Sequence, residues 1–227
     1  MIEAEMYNKI PKLATWEDVL TSNVFGLLDL LNNEHLIQIV SNAKNHKNEQ
    51  INFKDREIKS VELWKFFKNI GEPDILVTLT DDSFFIIEVK YFSHEHNSKK
   101  EVQESDDKEK KQEKGQLAKY LDIEINSKKS DFIIYLTQDY QSLKVIQNSD
   151  DKQANSKASL DNIFHIHWDE FNEYLINIKD ANGIEKKVID KIIEYLNFKG
   201  FKYWQGFKYN KEYSTLDTNI GGFYGKE

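Results

Sequence analysis

Residues 72–90 read EPDILVTLTDDSFFIIEVK, and the fold turns on how this stretch is read. DILVTLT and SFFIIEVKYF are rich in β-branched and aromatic residues, and Asp81-Asp82 between them predicts a turn, so the unit is strand, turn, strand. Period-two alternation sends Phe85, Ile87 and Val89 to one face and Ile86, Glu88 and Lys90 to the other. An acid and a base thus stand roughly 6.7 Å apart along the backbone on one side of an otherwise apolar strand. Such charges need partners, because ionised groups are costly to bury alone.

Working outward, VELWKFFK (residues 61–68) predicts a preceding strand, with NIGEP as the breaker before DILVTLT. Further upstream, TWEDVLTSNVFGLLDLLNN predicts a helix with Thr15 as its cap and Leu20, Val24, Leu27, Leu28 and Leu31 at helical spacing. At 100° per residue Glu17 falls within roughly 20° of Val24 and Leu28, on the apolar stripe, whereas Asp18 does not. EHLIQIVSNAK predicts a second helix and residues 44–50 a loop. Residues 93–114 carry both charge signs and a single aliphatic residue, Val102, which predicts a mobile charged insertion. A helix is expected from near Lys110 through GQLAKYLDIEI, then strands at SDFIIYLTQDY and NIFHIHW and helices at DEFNEYLINI and EKKVIDKIIEYLNF. A helix between the strands around Ile87 and Ile134 predicts that they run parallel, hence an α/β protein with a mixed sheet.

Length and composition narrow the functional classes. The 227 residues suit one domain over residues 1–227, and 39% hydrophobic residues suffice for a core. There is no cysteine, so disulfides, thiolate nucleophiles and cysteine-held zinc or iron–sulfur sites are excluded. No apolar run approaches the ~20 residues of a membrane helix, and the start lacks a basic end followed by an apolar stretch. The expectation is a cytoplasmic protein with no membrane partner. A net charge of −8 argues against coating nucleic acid by bulk charge, yet leaves room for a local basic groove.

Glu72-Pro73-Asp74 followed by Glu88-Val89-Lys90 on one strand–turn–strand unit resembles the PD-(D/E)xK nuclease superfamily. Gln116 and Tyr120 on the following helix resemble the QxxxY signature of its RecB-like members, and the helix carrying Glu17 is similar to the leading acidic helix of that fold. The resemblance spans residues 17–168 and leaves the C-terminal tail unaccounted for. It implies a restriction-endonuclease-like αβα sandwich, with a central mixed β-sheet flanked by helices. It also implies a bound Mg²⁺ or Mn²⁺, hard ions that take oxygen ligands: Asp74, Glu88 and the backbone carbonyl of Val89, with Glu17 serving a second ion or its waters. Lys90 would position or deprotonate the attacking water and offset charge at the phosphate. Gln116 and Tyr120, four apart on one helix face, would orient Lys90 or touch the bound strand.

The activity so implied is metal-dependent hydrolysis of DNA phosphodiester bonds, in prokaryotic restriction or antiphage defence, with a homodimer or regulatory partner supplying control. Two alternatives stand beside it: an RNA- or tRNA-cleaving member of the same fold, and a non-catalytic nucleic-acid-binding or interaction module. The residues also have plainer readings. Aspartate after proline is an ordinary turn residue, and Glu88 with Lys90 makes an edge-strand ion pair.

Other candidates are weaker. Between Phe198 and Lys211 the tail holds four lysines, no acid and six aromatics. Cations interleaved with rings suit single-strand binding, so Lys199, Lys202, Trp204 and Lys208 are candidate nucleic-acid contacts on a C-terminal hairpin over residues 198–227. Packing of the rings inside that hairpin is the rival reading. A second basic stretch, Lys54, Arg56, Lys59, Lys65 and Lys68, has acids among it and argues less for a groove. His94, His96, His165 and His167 include a His-x-His pair able to hold a transition metal, though packing is their ordinary use. His167 and Trp168 end a strand from which either could touch nucleic acid. GGFYGK lacks the spacing of a phosphate loop and no GxSxG is present, so the NTPase and serine-hydrolase classes lack support.

Overall fold

The structure, a computed structural model, describes residues 2–7, 9, 17–91, 115–151 and 160–203. Thr15, the charged segment 93–114 including His94 and His96, and the tail from Trp204 through Lys208 to residue 227 lie outside the described residues.

The elements are α1 (Ile2–Met6), α2 (Glu17–Leu28), α3 (Asn33–Ser41), β1 (Ile58–Leu63), β2 (Ile75–Leu79), β3 (Phe84–Val89), α4 (Gln116–Tyr120), β4 (Glu124–Ile125), β5 (Lys128–Lys129), β6 (Ile133–Thr137), α5 (Ser142–Asp151), β7 (Ile163–His167), α6 (Trp168–Asn177) and α7 (Gly183–Phe198). Five strands form one sheet in the order β1-β2-β3-β6-β7. β1 to β3 pair antiparallel, and β3, β6 and β7 pair parallel, so the sheet is mixed as expected. No helix of the described residues is long and apolar enough to cross a membrane.

Alternation within β3 separates two cores. Phe85, Ile87 and Val89 join the larger one, built with α2, α3, α6 and α7, while Phe84 and Ile86 join the smaller one with Leu117, Tyr120 and Ile146 from α4 and α5. Helices therefore flank both faces. All six residues of β3 are buried, as a central strand covered on both sides must be.

Several expected boundaries move. The first strand starts at Ile58 and stops at Leu63, because Trp64 adopts a left-handed backbone (φ 53°) that no strand tolerates. The helix expected through GQLAKYLDIEI ends at Tyr120, and Asn126 and Ser127, both at positive φ, turn β4 back onto β5. α5 was not signalled by the tyrosine- and serine-rich sequence around its start.

Of the C-terminal hairpin expected over residues 198–227, only residues 198–203 are described, and they form the end of a helix and the turn after it. α7 runs to Phe198 and closes on Gly200 (φ 94°), with the Phe201 N–H on the Leu196 carbonyl (2.9 Å) and the Gly200 N–H on Asn197 (3.1 Å), a Schellman end. Phe201 then stacks on Trp168. This turn carries Lys199 inward, where its ammonium pairs with the buried Glu5 of α1. Glu5 also accepts from the Tyr195 hydroxyl (2.8 Å) and Asn23 (3.3 Å). Lys199 is thus a core residue clasping α1 to α7, and not a surface contact for nucleic acid; Lys202 is exposed.

Truncating Lys199 to Met should leave the Glu5 carboxylate buried without its cation and cost about 3–5 kcal/mol of stability in urea unfolding. The double variant Glu5→Gln/Lys199→Met should recover much of that loss. No recovery would show that the pair contributes nothing through its charge.

Candidate active site

Strand directions bring the C-terminal ends of β1, β3, β6 and β7 and the N-terminal start of β2 to one end of the sheet. Asp74 and Lys90 meet there. Continuing the β2–β3 register past Ile75–Ile87 sets Pro73 opposite Val89. Proline has no N–H to donate, so the ladder stops and Pro73 gives the Val89 carbonyl no bond. The Val89 N–H turns instead to the Asp74 carboxylate, Oδ2 at 2.7 Å. The Pro-Asp pair therefore has a local physical role: the proline leaves the Val89 carbonyl without a ladder donor, and the aspartate puts a carboxylate on the Val89 amide.

Glu88 is 2% exposed and Lys90 5% exposed. The Lys90 Nζ donates to Glu88 Oε1 at 2.7 Å and to Glu17 Oε2 at 3.4 Å. Glu17 reaches over the sheet end from the start of α2, and its other oxygen accepts the Tyr91 N–H at 3.2 Å. The second carboxylate oxygen of Glu88, Oε2, is buried with no hydrogen-bond partner. A buried acceptor left unpaired is costly in its charged form, and this burial favours the neutral carboxyl.

Titration reflects this crowding. Burial, and next the charge of Asp74, push Glu88 up to about 8 against the pull of Lys90. Asp74 is raised as well, first by burial, with Lys90 and the Val89 N–H opposing. For Lys90 burial works against the charged form, but the charges of Glu88 and Asp74 outweigh it and raise its pKa, so it remains an ammonium.

Gln116 and Tyr120 are brought to the site from its inner side. The buried Tyr120 hydroxyl accepts from Gln116 Nε2 (2.8 Å) and donates to the Glu72 carbonyl (3.2 Å). Burial and the nearby Glu88 charge raise the Tyr120 pKa. Tyr120 is a brace for the Glu72–Asp74 turn. It is not placed to touch a bound strand as the sequence suggested.

Sequence reasoning missed two supports. Trp168, considered for nucleic-acid contact, is fully buried and donates its indole N–H to the Lys90 carbonyl at 3.2 Å. Tyr91 donates its hydroxyl to the Lys199 carbonyl at 2.5 Å. A polar-tipped aromatic directly after Glu-x-Lys was the available signal. His165 and His167 turn toward the Ser142 hydroxyl at 3.1 and 3.4 Å, and burial, then His167 and Lys44, lower His165 to about 4, which keeps it neutral.

Asp74, Glu88 and the Val89 carbonyl offer only oxygen donors, the kind a hard divalent ion takes. Among the described residues no three His, Asp or Glu side chains group at metal-binding spacing. Glu17 is linked to Glu88 through the Lys90 ammonium, whereas the resemblance implies that it serves a second ion or its waters. Comparison with protein families, curated proteins and solved structures finds no match for this chain.

A carboxyl whose pKa rises on folding contributes stability below its ordinary value of 4.5, and that contribution is lost as pH climbs through about 8. Without divalent ions, the wild-type melting temperature should fall relative to Glu88→Gln between pH 5 and 8, by about 5 °C or more. An identical offset at every pH would show that Glu88 is not the group responsible.

Proposed function

We propose that this protein is a divalent-metal-dependent nuclease that hydrolyses phosphodiester bonds of DNA. The observation that carries the reading is the orphaned Glu88 oxygen, buried beside Asp74 and Lys90 at the strand ends. The Glu-Pro-Asp and Glu-Val-Lys motifs, with Gln116 and Tyr120 behind them, support it, as does the mixed sheet with flanking helices.

Asp74, Glu88 and the Val89 carbonyl would hold Mg²⁺ or Mn²⁺, which when bound supplies Lewis-acid stabilisation of charge on the phosphate and lowers the pKa of a bound water. The chain's own groups do the remaining work. Lys90, kept as an ammonium by its carboxylate neighbours, donates hydrogen bonds to the attacking water or the phosphate oxygens, and this favours the more negative transition state. An ammonium cannot also take the water's proton, so positioning and charge compensation are its roles. Glu17 holds Lys90 from the α2 side and fixes the Tyr91 amide, while Trp168 holds the Lys90 carbonyl. Tyr120 fixes the turn that presents Asp74. Water adds to phosphorus and releases a proton to solvent, the bond to the leaving sugar oxygen breaks and that oxygen takes up a proton from solvent, and the products are a phosphomonoester end and a free hydroxyl end.

Supercoiled plasmid, linear duplex, single-stranded DNA and tRNA incubated with Mg²⁺, Mn²⁺ or EDTA should separate the readings. Metal-dependent DNA cutting is expected, and Lys90→Ala should lose at least a hundredfold in rate. Mg²⁺ should also raise the melting temperature of the wild type at pH 8 and leave that of Glu88→Gln unchanged. Cutting of tRNA alone would assign the substrate to RNA. Metal-independent binding with no cutting of any substrate would overturn the enzyme reading in favour of a binding module.

A further inference from the structure

Beyond the buried carboxylates, the same sheet end carries two largely exposed rings, Phe66 and Tyr140. The loop from Trp64 to Gly71 joins β1 to β2. It is tied to the site at its start, where the Trp64 N–H donates to the Asp74 carbonyl at 3.0 Å, and at its end Gly71 (φ 137°) lies beside the Tyr120 ring. Phe67 and Ile70 turn inward onto the smaller core, and the Phe67 and Gly71 backbones pair. Phe66 is left 70% exposed. Most of the basic stretch is already committed, Arg56 to Asp131, Lys59 to Asp82 and Lys65 to Glu62. Lys68 in this loop is exposed and has no ion-pair partner among the described residues.

On the other flank Tyr140 follows β6. Its ring is 74% exposed yet held in place: the hydroxyl accepts from Gln138 Nε2 at 3.1 Å and contacts Asp169 Oδ2 at 3.4 Å, and the ring packs on His167 with centroids 5.2 Å apart. Gln138 in turn donates its N–H to the Tyr91 carbonyl at 3.4 Å, which ties Tyr140 to the residue after Lys90. β1 and β6 lie three strand spacings apart, roughly 14 Å. The carboxylates occupy the strand ends between them.

An exposed ring already held in place, as Tyr140 is by its polar contacts, loses little entropy when a flat group stacks on it; Phe66 sits in a loop whose neighbours Phe67 and Ile70 are packed inward. Unpaired bases offer such faces whatever their sequence, whereas stacked bases in a duplex do not. We propose, resting on the nuclease reading above, that Phe66 and Tyr140 are stacking platforms on either side of the cutting centre, with Lys68 on the backbone phosphates, so that the site takes a single-stranded segment.

The test is fluorescence anisotropy with a labelled 20-nucleotide single strand and the matching duplex, in EDTA so that nothing is cut, alongside cutting assays in Mg²⁺. Phe66→Ala and Tyr140→Ala should each weaken single-strand binding about tenfold, with Tyr140→Phe, which keeps the ring but loses the hydroxyl's contacts to Gln138 and Asp169, falling between wild type and Tyr140→Ala, and duplex binding little changed. Both side chains are solvent-exposed, so unchanged melting temperatures will confirm that the variants fold. Single-strand binding unchanged within twofold in both alanine variants would overturn the proposal, as would duplex bound as tightly as single strand. Cutting of duplex but not single strand would overturn it too, and would leave the nuclease reading standing. Single-strand binding that depends on Phe66 and Tyr140, without cutting by any metal, would support the platforms and overturn the nuclease reading.

Discussion

The structure depends on keeping two carboxylates and one ammonium out of water at the end of a sheet. Glu88 and Asp74 repel each other and lose hydration, and Lys90 is the charge that makes their burial tolerable. Lys90 is itself buried, so its position has to be imposed. Glu17 holds the ammonium and Trp168 holds the carbonyl of the same residue, while Asp74 is set by the Val89 amide. Each of these partners comes from a different element, so α2, β2, β3 and α6 must all be in place before the charges balance.

The remaining architecture follows from that requirement. The antiparallel β2–β3 hairpin brings Asp74 beside Val89, and the parallel crossover to β6 and β7 covers the opposite edge of β3. A central strand buried on both faces gives the low-dielectric setting in which a misplaced charge is costly and a well-placed one is effective. Burial also explains the Glu5–Lys199 clasp behind Tyr91. The C-terminal end of α7 and the N-terminal helix are locked together there, and the Tyr91 hydroxyl is fixed on the Lys199 carbonyl. The sheet end that carries Glu88 and Lys90 thus rests on a second buried ion pair.

The strands around Ile87 and Ile134, the hairpin turn at Asp81-Asp82 and the parallel pairing were all legible from the residues. So was the inward phase of Glu17, whose helix presents it on the same stripe as Val24 and Leu28. The misreadings have a common cause. Lys199 and Trp168 were judged by residue type, a cation and an aromatic in a tail and at a strand end, but burial depends on what packs against them. The Schellman turn at Gly200 and the buried Glu5, far away in sequence, decided Lys199. Trp64 and Tyr120 were misjudged for a related reason: a left-handed backbone after β1 and a carbonyl 48 residues away are not local properties.

By itself the sequence determined the alternation that puts Glu88 and Lys90 on one face, the proline that ends the ladder beside Val89, and the absence of any thiol chemistry. These depend on covalent geometry and side-chain type, which local order carries. Only the tertiary structure decided which charges are buried, which oxygen of Glu88 is left without a partner, and which rings face outward across the strand ends. Those are properties of desolvation and of contacts between distant segments. They come into existence only when the sheet has closed against its helices.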